Sequence, residues 1–140
     1  MTINGYLTFN GNCREAMSFY KNCLGGDLTF QTIGESPLSE KMNSKMKDAI
    51  LHATLKKGGF VLMASDMVGE KGLKKGNSVS LVLTCNSEEE TQKMYKKLSK
   101  DGEQLHPLER TFWGALFGDL VDKFGNHWLI NGPSMKELLS

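Results

Sequence analysis

The sequence predicts an α+β fold, two βαβββ modules within one domain. Three observations predict it. Two amphipathic helical stretches each follow a strand-like run. Further strand-like runs, punctuated by Gly-containing turns, follow each helix. The two halves also repeat one another in element order, caps and turns. A lone sheet of this kind has one face covered by its helix and one face bare. Two copies can curl together around their bare faces and enclose a cavity, giving an open, U-shaped, barrel-like sheet. Coincidence between two ordinary α+β stretches is the alternative.

The elements follow in order. Residues 3–9 alternate and are rich in β-formers, so they read as a strand. Residues 13–24 form a helix: Asn12 is placed to cap it, and Glu15 sits at capping-box spacing. Ala16, Phe19, Tyr20, Cys23 and Leu24 make one apolar stripe, and Gly25-Gly26 stops the helix. Residues 27–33 read as a strand. Residues 34–47 are polar, carry a proline and read as a loop or flap with a possible helical turn. Residues 48–56 and 60–64 are strands joined by Lys57-Gly58-Gly59, a hairpin signal. Residues 66–77 are rich in Gly and Lys and read as the linker between module one (residues 1–65) and module two (residues 78–140) of a single domain spanning residues 1–140.

The pattern then restarts. Residues 78–85 are a strand, and Ser87 with Glu90 caps a helix running to about residue 100. Residues 103–108, 115–122 and 127–131 are three more strands. At one fixed offset, Asn12, Glu15, Phe19 and Tyr20 of the first helix match Ser87, Glu90, Met94 and Tyr95 of the second. At another, His52, Gly58 and Leu62 match Asp119, Gly125 and Leu129.

Composition narrows the function classes. A 39% apolar and 24% charged chain of net charge +1 is ordinary for a soluble globular protein and gives no argument for a nucleic-acid or membrane partner. No apolar run is long enough for a membrane span, and the N-terminus lacks the pattern of a signal peptide. Cys13, Cys23 and Cys85 are an odd set without CxxC spacing. That fits reduced thiols and a cytoplasmic location, and it argues against a cysteine zinc site.

The stretches "YLTFNGNCREAMSFYKNCLGG" and "WGALFGDLVDKFGNHWLIN", set in paired βαβββ modules, resemble the vicinal oxygen chelate superfamily of glyoxalase I, bleomycin-resistance proteins and extradiol dioxygenases. Within it the chain is most similar to the PhnB-like subgroup, over nearly its whole length. The resemblance implies the glyoxalase/bleomycin-resistance fold, a pocket and a homodimer. The superfamily's enzymes hold a divalent metal through His, Glu or Gln at four positions, which chelates neighbouring substrate oxygens. Carried over, those positions fall on Asn4, Gly5 or Tyr6 in the first strand, then on His52, Ser80 and Leu129. Only His52 is a matching ligand type. One donor does not hold a catalytic metal, so the expectation is no metal and no cofactor. A ubiquinone-pathway methyltransferase activity, a label given to relatives of this subgroup, lacks support, because no Gly-rich strand-to-helix turn follows the first strand.

The candidate residues are few. Asp122 and Gly125 in "DKFGN" read as turn residues. On the last strand His127, Leu129 and Asn131 share one face, and Trp128 and Ile130 share the face turned to a helix. His127 then lines the pocket or its rim, or is a surface histidine. Ser78, Ser80, Val82 and Thr84 form the face opposite the apolar set of their strand. His52 reads as a pocket hydrogen-bonding or acid–base group, or as a polar residue bonded to a neighbour. Asp119, matched to His52 by the repeat, either joins it as a proton-transfer pair from the opposite module or sits at a solvated rim. Tyr6 and Trp113 either stack on a flat ligand or pack at a dimer interface. Met42, Met46, Met63 and Met67 suit a lid or subunit contact, or simply fill gaps. The basic run "KGLKKG" reads as a solvated loop.

Together these readings point to a metal-free, PhnB-like small-molecule binding protein whose ligand touches Tyr6, His52, Ser80, Trp113 and His127. The alternatives are an enzyme with His52 and Asp119 as candidate catalytic groups, either metal-dependent or by acid–base chemistry, and a structural dimer with a vestigial pocket.

Overall fold

The computed structural model describes residues 1–41 and 46–134. The chain divides into two compact units, Met1–Lys75 and Gly76–Ser140. Each carries a mixed four-stranded sheet and one long helix, an α+β fold.

In the first unit β1 (Gly5–Thr8), α1 (Cys13–Leu24), β2 (Asp27–Thr32), β3 (Ile50–Lys57) and β4 (Phe60–Ser65) build a sheet ordered β1-β4-β3-β2. β1 runs parallel to β4, and the other pairs are antiparallel. The apolar stripe of α1 is buried through Ala16, Met17, Tyr20, Cys23 and Leu24. The buried side of the sheet is Ala53, Leu55, Leu62 and Ala64. Burying each large apolar side chain contributes about 1.5–3 kcal/mol, so the stripe is what ties helix to sheet. Gly26 ends the turn after α1 with φ +100°, and a Cβ there would lie 2.7 Å from the Lys56 carbonyl oxygen, so only glycine fits. Lys57 Nζ donates to the Leu24 carbonyl at 2.9 Å and satisfies the helix end. Between β2 and β3 lie two short 3₁₀ turns, Ile33–Glu35, which takes in the last residue read as strand, and Pro37–Lys41, within the segment read as a loop. Met42 of that segment lies outside the described residues.

The N-terminus of α1 departs from expectation. Asn12 sits at the cap position, yet its side chain makes no capping bond. Asp66, read from sequence as linker, does the work instead. Its Oδ1 accepts from the backbone N–H groups of Gly11 and Cys13, and its Oδ2 accepts from Ile50 N–H, all at 2.9 Å. An ionised carboxylate binds N–H groups more strongly than a neutral amide oxygen, so the distant acid displaces the local cap.

The second unit repeats the plan with β5 (Leu81–Thr84), α2 (Glu88–Ser99), β6 (Glu103–Arg110), β7 (Leu116–Val121) and β8 (His127–Asn131), ordered β5-β8-β7-β6. Ser87 caps α2 by accepting from Glu90 N–H at 3.0 Å. Thr91, Tyr95 and Leu98 of α2 are buried, as are Leu116 and Leu120 of β7 and Trp128 and Ile130 of β8. β5 is shorter than the sequence suggests, beginning at Leu81, so Ser80 lies just outside the ladder. Among the described residues no helix is long and apolar enough to cross a membrane.

The registers also correct the repeat. Thr54 pairs with Met63 as Asp119 pairs with Leu129, and the fully buried Leu55 stands where the fully buried Leu120 does. Thr54, not His52, is therefore the counterpart of Asp119. The turn of the second hairpin, Lys123-Phe124-Gly125, is one residue longer than Gly58-Gly59, so no single offset matches both strands of the two hairpins.

Candidate functional site

The open face of the second sheet carries a continuous polar run. Pairing places His106 of β6 opposite Asp119 of β7, and Asp119 opposite Leu129 of β8. Paired residues point to the same side of a sheet, the side away from the buried Leu120 and Trp128. His127 pairs with Val121, two residues along β7, which puts its ring on the diagonal from Asp119. Ser80 precedes Leu81, the partner of Trp128, and so lies beside His127.

The side chains join end to end. Asp119 Oδ1 is 2.6 Å from His106 Nδ1, and Oδ2 is 2.7 Å from His127 Nε2. The other ring nitrogen of His127, Nδ1, lies 2.5 Å from Ser80 Oγ. The run is graded in exposure: the Asp119 side chain is 12% exposed, that of His127 29% and that of His106 81%. Burial alone would push the Asp119 carboxyl up. The hydrogen bonds from His127 and His106, and the charge those rings can carry, outweigh it and hold the carboxyl below its ordinary value. Asp119 is thus an anion buried between two imidazoles. No lysine or arginine pairs with it among the described residues, and Arg110 pairs with Glu88 at 2.7 Å.

Two backbone features hold the run in place. β6 is irregular on either side of His106, next to Pro107, which has no N–H to give the ladder. The buried Tyr95 of α2 repairs the gap by donating its hydroxyl to the His106 carbonyl at 2.7 Å, 3.3 Å from the Asp119 carbonyl. Burial and the nearby Asp119 charge push the Tyr95 phenol up, which keeps it a donor. Gly118 makes the close approach possible: a Cβ there would sit 2.9 Å from the His106 carbonyl oxygen and 3.0 Å from Leu108 N.

The remaining candidates fall in separate places. Asp122 is a turn residue with a buried carboxylate. Its Oδ1 accepts from Phe124 and Asn126 N–H at 2.9 and 3.0 Å, and its Oδ2 from Trp128 Nε1–H at 2.8 Å. His52 lies on the open face of the first sheet, its Nε2 3.0 Å from Thr54 Oγ1 and its ring 6.1 Å from that of Tyr6. Trp113 stands in the turn between β6 and β7, half exposed, edge-on to Phe112 at 4.8 Å. His106 was not singled out by sequence, because nothing in "EQLHPLER" announces that its ring stands opposite Asp119. Both oxygens of Asp119 are bonded to histidines of its own unit, and the counterparts of Asp119 and His106 in the first unit are Thr54 and Thr29. The first sheet therefore has no such run.

The donor set does not fit the superfamily's metal. The four carried-over positions hold one imidazole, already bonded to Thr54, a hydroxyl bonded to His127, the apolar Leu129 and a first-strand residue of poor ligand type. Among the described residues no three His, Cys, Asp or Glu side chains are arranged to hold a metal ion.

Comparison with known proteins agrees with the observed fold and shows the family. The family model described as 3-demethylubiquinone-9 3-methyltransferase matches residues 1–131. Protein PA1353 from Pseudomonas aeruginosa is 39% identical with a TM-score of 0.84, covering 94% of this chain and 97% of its own. A PhnB protein from Bacillus cereus is 27% identical with a TM-score of 0.73, covering 95% and 100%. A glyoxalase/bleomycin resistance protein/dioxygenase family enzyme from Burkholderia phytofirmans PsJN shares the fold at 14% identity and a TM-score of 0.60, covering 91% and 96%.

Proposed function

From the premise that the chain belongs to this PhnB-like family of the glyoxalase/bleomycin-resistance superfamily, we propose that it is a metal-free small-molecule binding protein. The ligand is recognised on the open face of the second sheet by Ser80, His127 and His106, with Asp119 orienting both rings. One observation carries the reading: a nearly buried carboxylate holds two histidines and, through one of them, a serine in a single hydrogen-bonded run. A polar network kept on an otherwise open sheet face fixes the direction of donors and acceptors, which is what a specific binding site needs. Val82, 60% exposed, and the half-buried Leu129 are paired beside the run and offer apolar surface to the same ligand. Tyr6 with His52 on the first sheet, and Trp113 in its turn, are smaller aromatic patches suited to stacking.

The family's methyltransferase description is not part of this proposal, because the strand-to-helix turn after β1 does not offer a full set of free backbone N–H groups to a nucleotide-like cofactor. In such a cofactor-binding strand-to-helix turn, backbone N–H groups face the ligand. In this chain the N–H groups of Gly11 and Cys13 are spent on Asp66. A homodimer and a cytoplasmic location belong to the same proposal.

The test is a thermal-shift screen of small molecules on the wild type and on His127→Ala. A compound that raises Tm in the first and not in the second supports the reading. If every stabilising compound acts equally on both, the second sheet's face is not the site. Metal content after incubation with Zn, Ni, Mn and Fe(II) and desalting, beside His52→Ala, separates the enzyme alternative. Stoichiometric metal lost in the variant would favour it over simple binding.

A further inference from the structure

The hydrogen-bond roles along the run can be assigned from one end to the other. Asp119 is ionised, and a carboxylate only accepts. Both ring nitrogens facing it, Nδ1 of His106 and Nε2 of His127, must therefore carry hydrogen. A neutral imidazole has one N–H and one lone pair. In the neutral rings the lone pairs are then at Nδ1 of His127 and Nε2 of His106. The first accepts the hydroxyl hydrogen of Ser80, which leaves only lone pairs on that oxygen. The second makes no hydrogen bond with any described residue and belongs to a ring that is 81% exposed. With neutral rings, the run therefore meets a ligand with acceptors alone and carries one net negative charge.

We infer that this face takes ligands that bring N–H or O–H donors, organic ammonium groups foremost, to Nε2 of His106, and that it turns away carboxylates and phosphates. This rests on the proposed binding role and names the ligand class for it. An ammonium gains a charge-assisted bond to the imidazole nitrogen and the attraction of Asp119 behind it. A carboxylate there meets the nitrogen lone pair and a like charge. Ser80 Oγ, also acceptor-only, is a second anchor for a ligand with two donors.

Long-range proton–nitrogen NMR of histidine-labelled protein, at a pH above imidazole titration, reads the tautomers directly. His106 should carry its hydrogen on Nδ1 and His127 on Nε2. The matched probes benzylammonium and benzoate then differ only in the group offered. Benzylammonium should shift His106 Nε2, and benzoate should not. Asp119→Asn should weaken benzylammonium binding about tenfold or more. The inference is overturned if His106 carries hydrogen on Nε2 in the wild type, or if benzoate and not benzylammonium moves that nitrogen. It is also overturned if benzylammonium leaves the nitrogen unmoved. The wild-type tautomers stand whether or not the variant folds. An anionic compound from the thermal-shift screen that maps to His106 would sink this inference while leaving the binding role intact. A screen in which nothing depends on His127, alongside an unmoved His106, would sink both.

Discussion

Two acids three positions apart on one stretch of chain should respond very differently to removal. In Asp122→Ala the indole N–H of the buried Trp128 loses a charged acceptor, and two turn N–H groups lose theirs. A hydrogen bond to a charged group is worth about 1.5–3 kcal/mol, and a turn N–H that water can reach about 0.5–1.5. The expected loss is therefore about 2.5–6 kcal/mol, a large part of the ~5–15 kcal/mol that holds a domain of ordinary stability. Asp119→Ala also deletes two hydrogen bonds, but its partners are imidazoles 81% and 29% exposed, which water can serve instead. Pairs whose imidazole ends are open to water in this way contribute about 1 kcal/mol or less, although the carboxylate end is buried. Urea denaturation followed by tryptophan fluorescence should show the midpoint falling by upwards of about 1 M for Asp122→Ala and by a small fraction of that for Asp119→Ala. Equal losses would mean that Asp119 is a structural clamp like Asp122. The argument that it is held for binding would then fail.

Further outcomes follow from the same geometry. Gly118→Ala should destabilise the second unit and displace His106, because the new methyl meets backbone of β6 rather than a movable side chain; an unchanged His106 resonance and melting curve would contradict the placement. Asp119 has a folded-state carboxyl held below its ordinary value, so its contribution is present above the ordinary carboxylate range and is lost as pH falls through the lower folded value. Wild type and Asp119→Asn should therefore converge in stability on acidification. Burial, with Asp66 nearby, pushes the Cys13 thiol up to about 12, so thiol reagents should label Cys13 in folded protein only on unfolding, even at mildly alkaline pH. Rapid labelling under native conditions would refute its burial.

The parts that were legible in the sequence are those set by local periodicity. α1 runs over the residues its apolar stripe marks out, between Asn12 and the Gly25-Gly26 stop. β8 alternates in burial as its sequence alternates, which placed His127 and Leu129 on one side and Trp128 and Ile130 on the other. Asp122 and Gly125 form the turn that their residue types suit. What stayed hidden depends on register and on distant partners. The cap of α1 comes from Asp66, fifty-odd positions along the chain, where no local pattern reaches. Hairpin turns that differ by one residue, Gly58-Gly59 against Lys123-Phe124-Gly125, hid that the match of Asp119 is Thr54 and not His52. The break in β6 beside Pro107 decided that His106 faces Asp119, and a strand's register against its neighbour is not written in the strand itself.

The most direct test of the account is to map a bound ligand by NMR. A compound that stabilises the wild type is titrated into labelled protein, and the perturbed backbone and histidine signals are assigned. The account predicts shifts centred on Ser80, His106, Asp119 and His127, with Val82 and Leu129 beside them. Perturbations centred elsewhere, with those six residues silent, would contradict it.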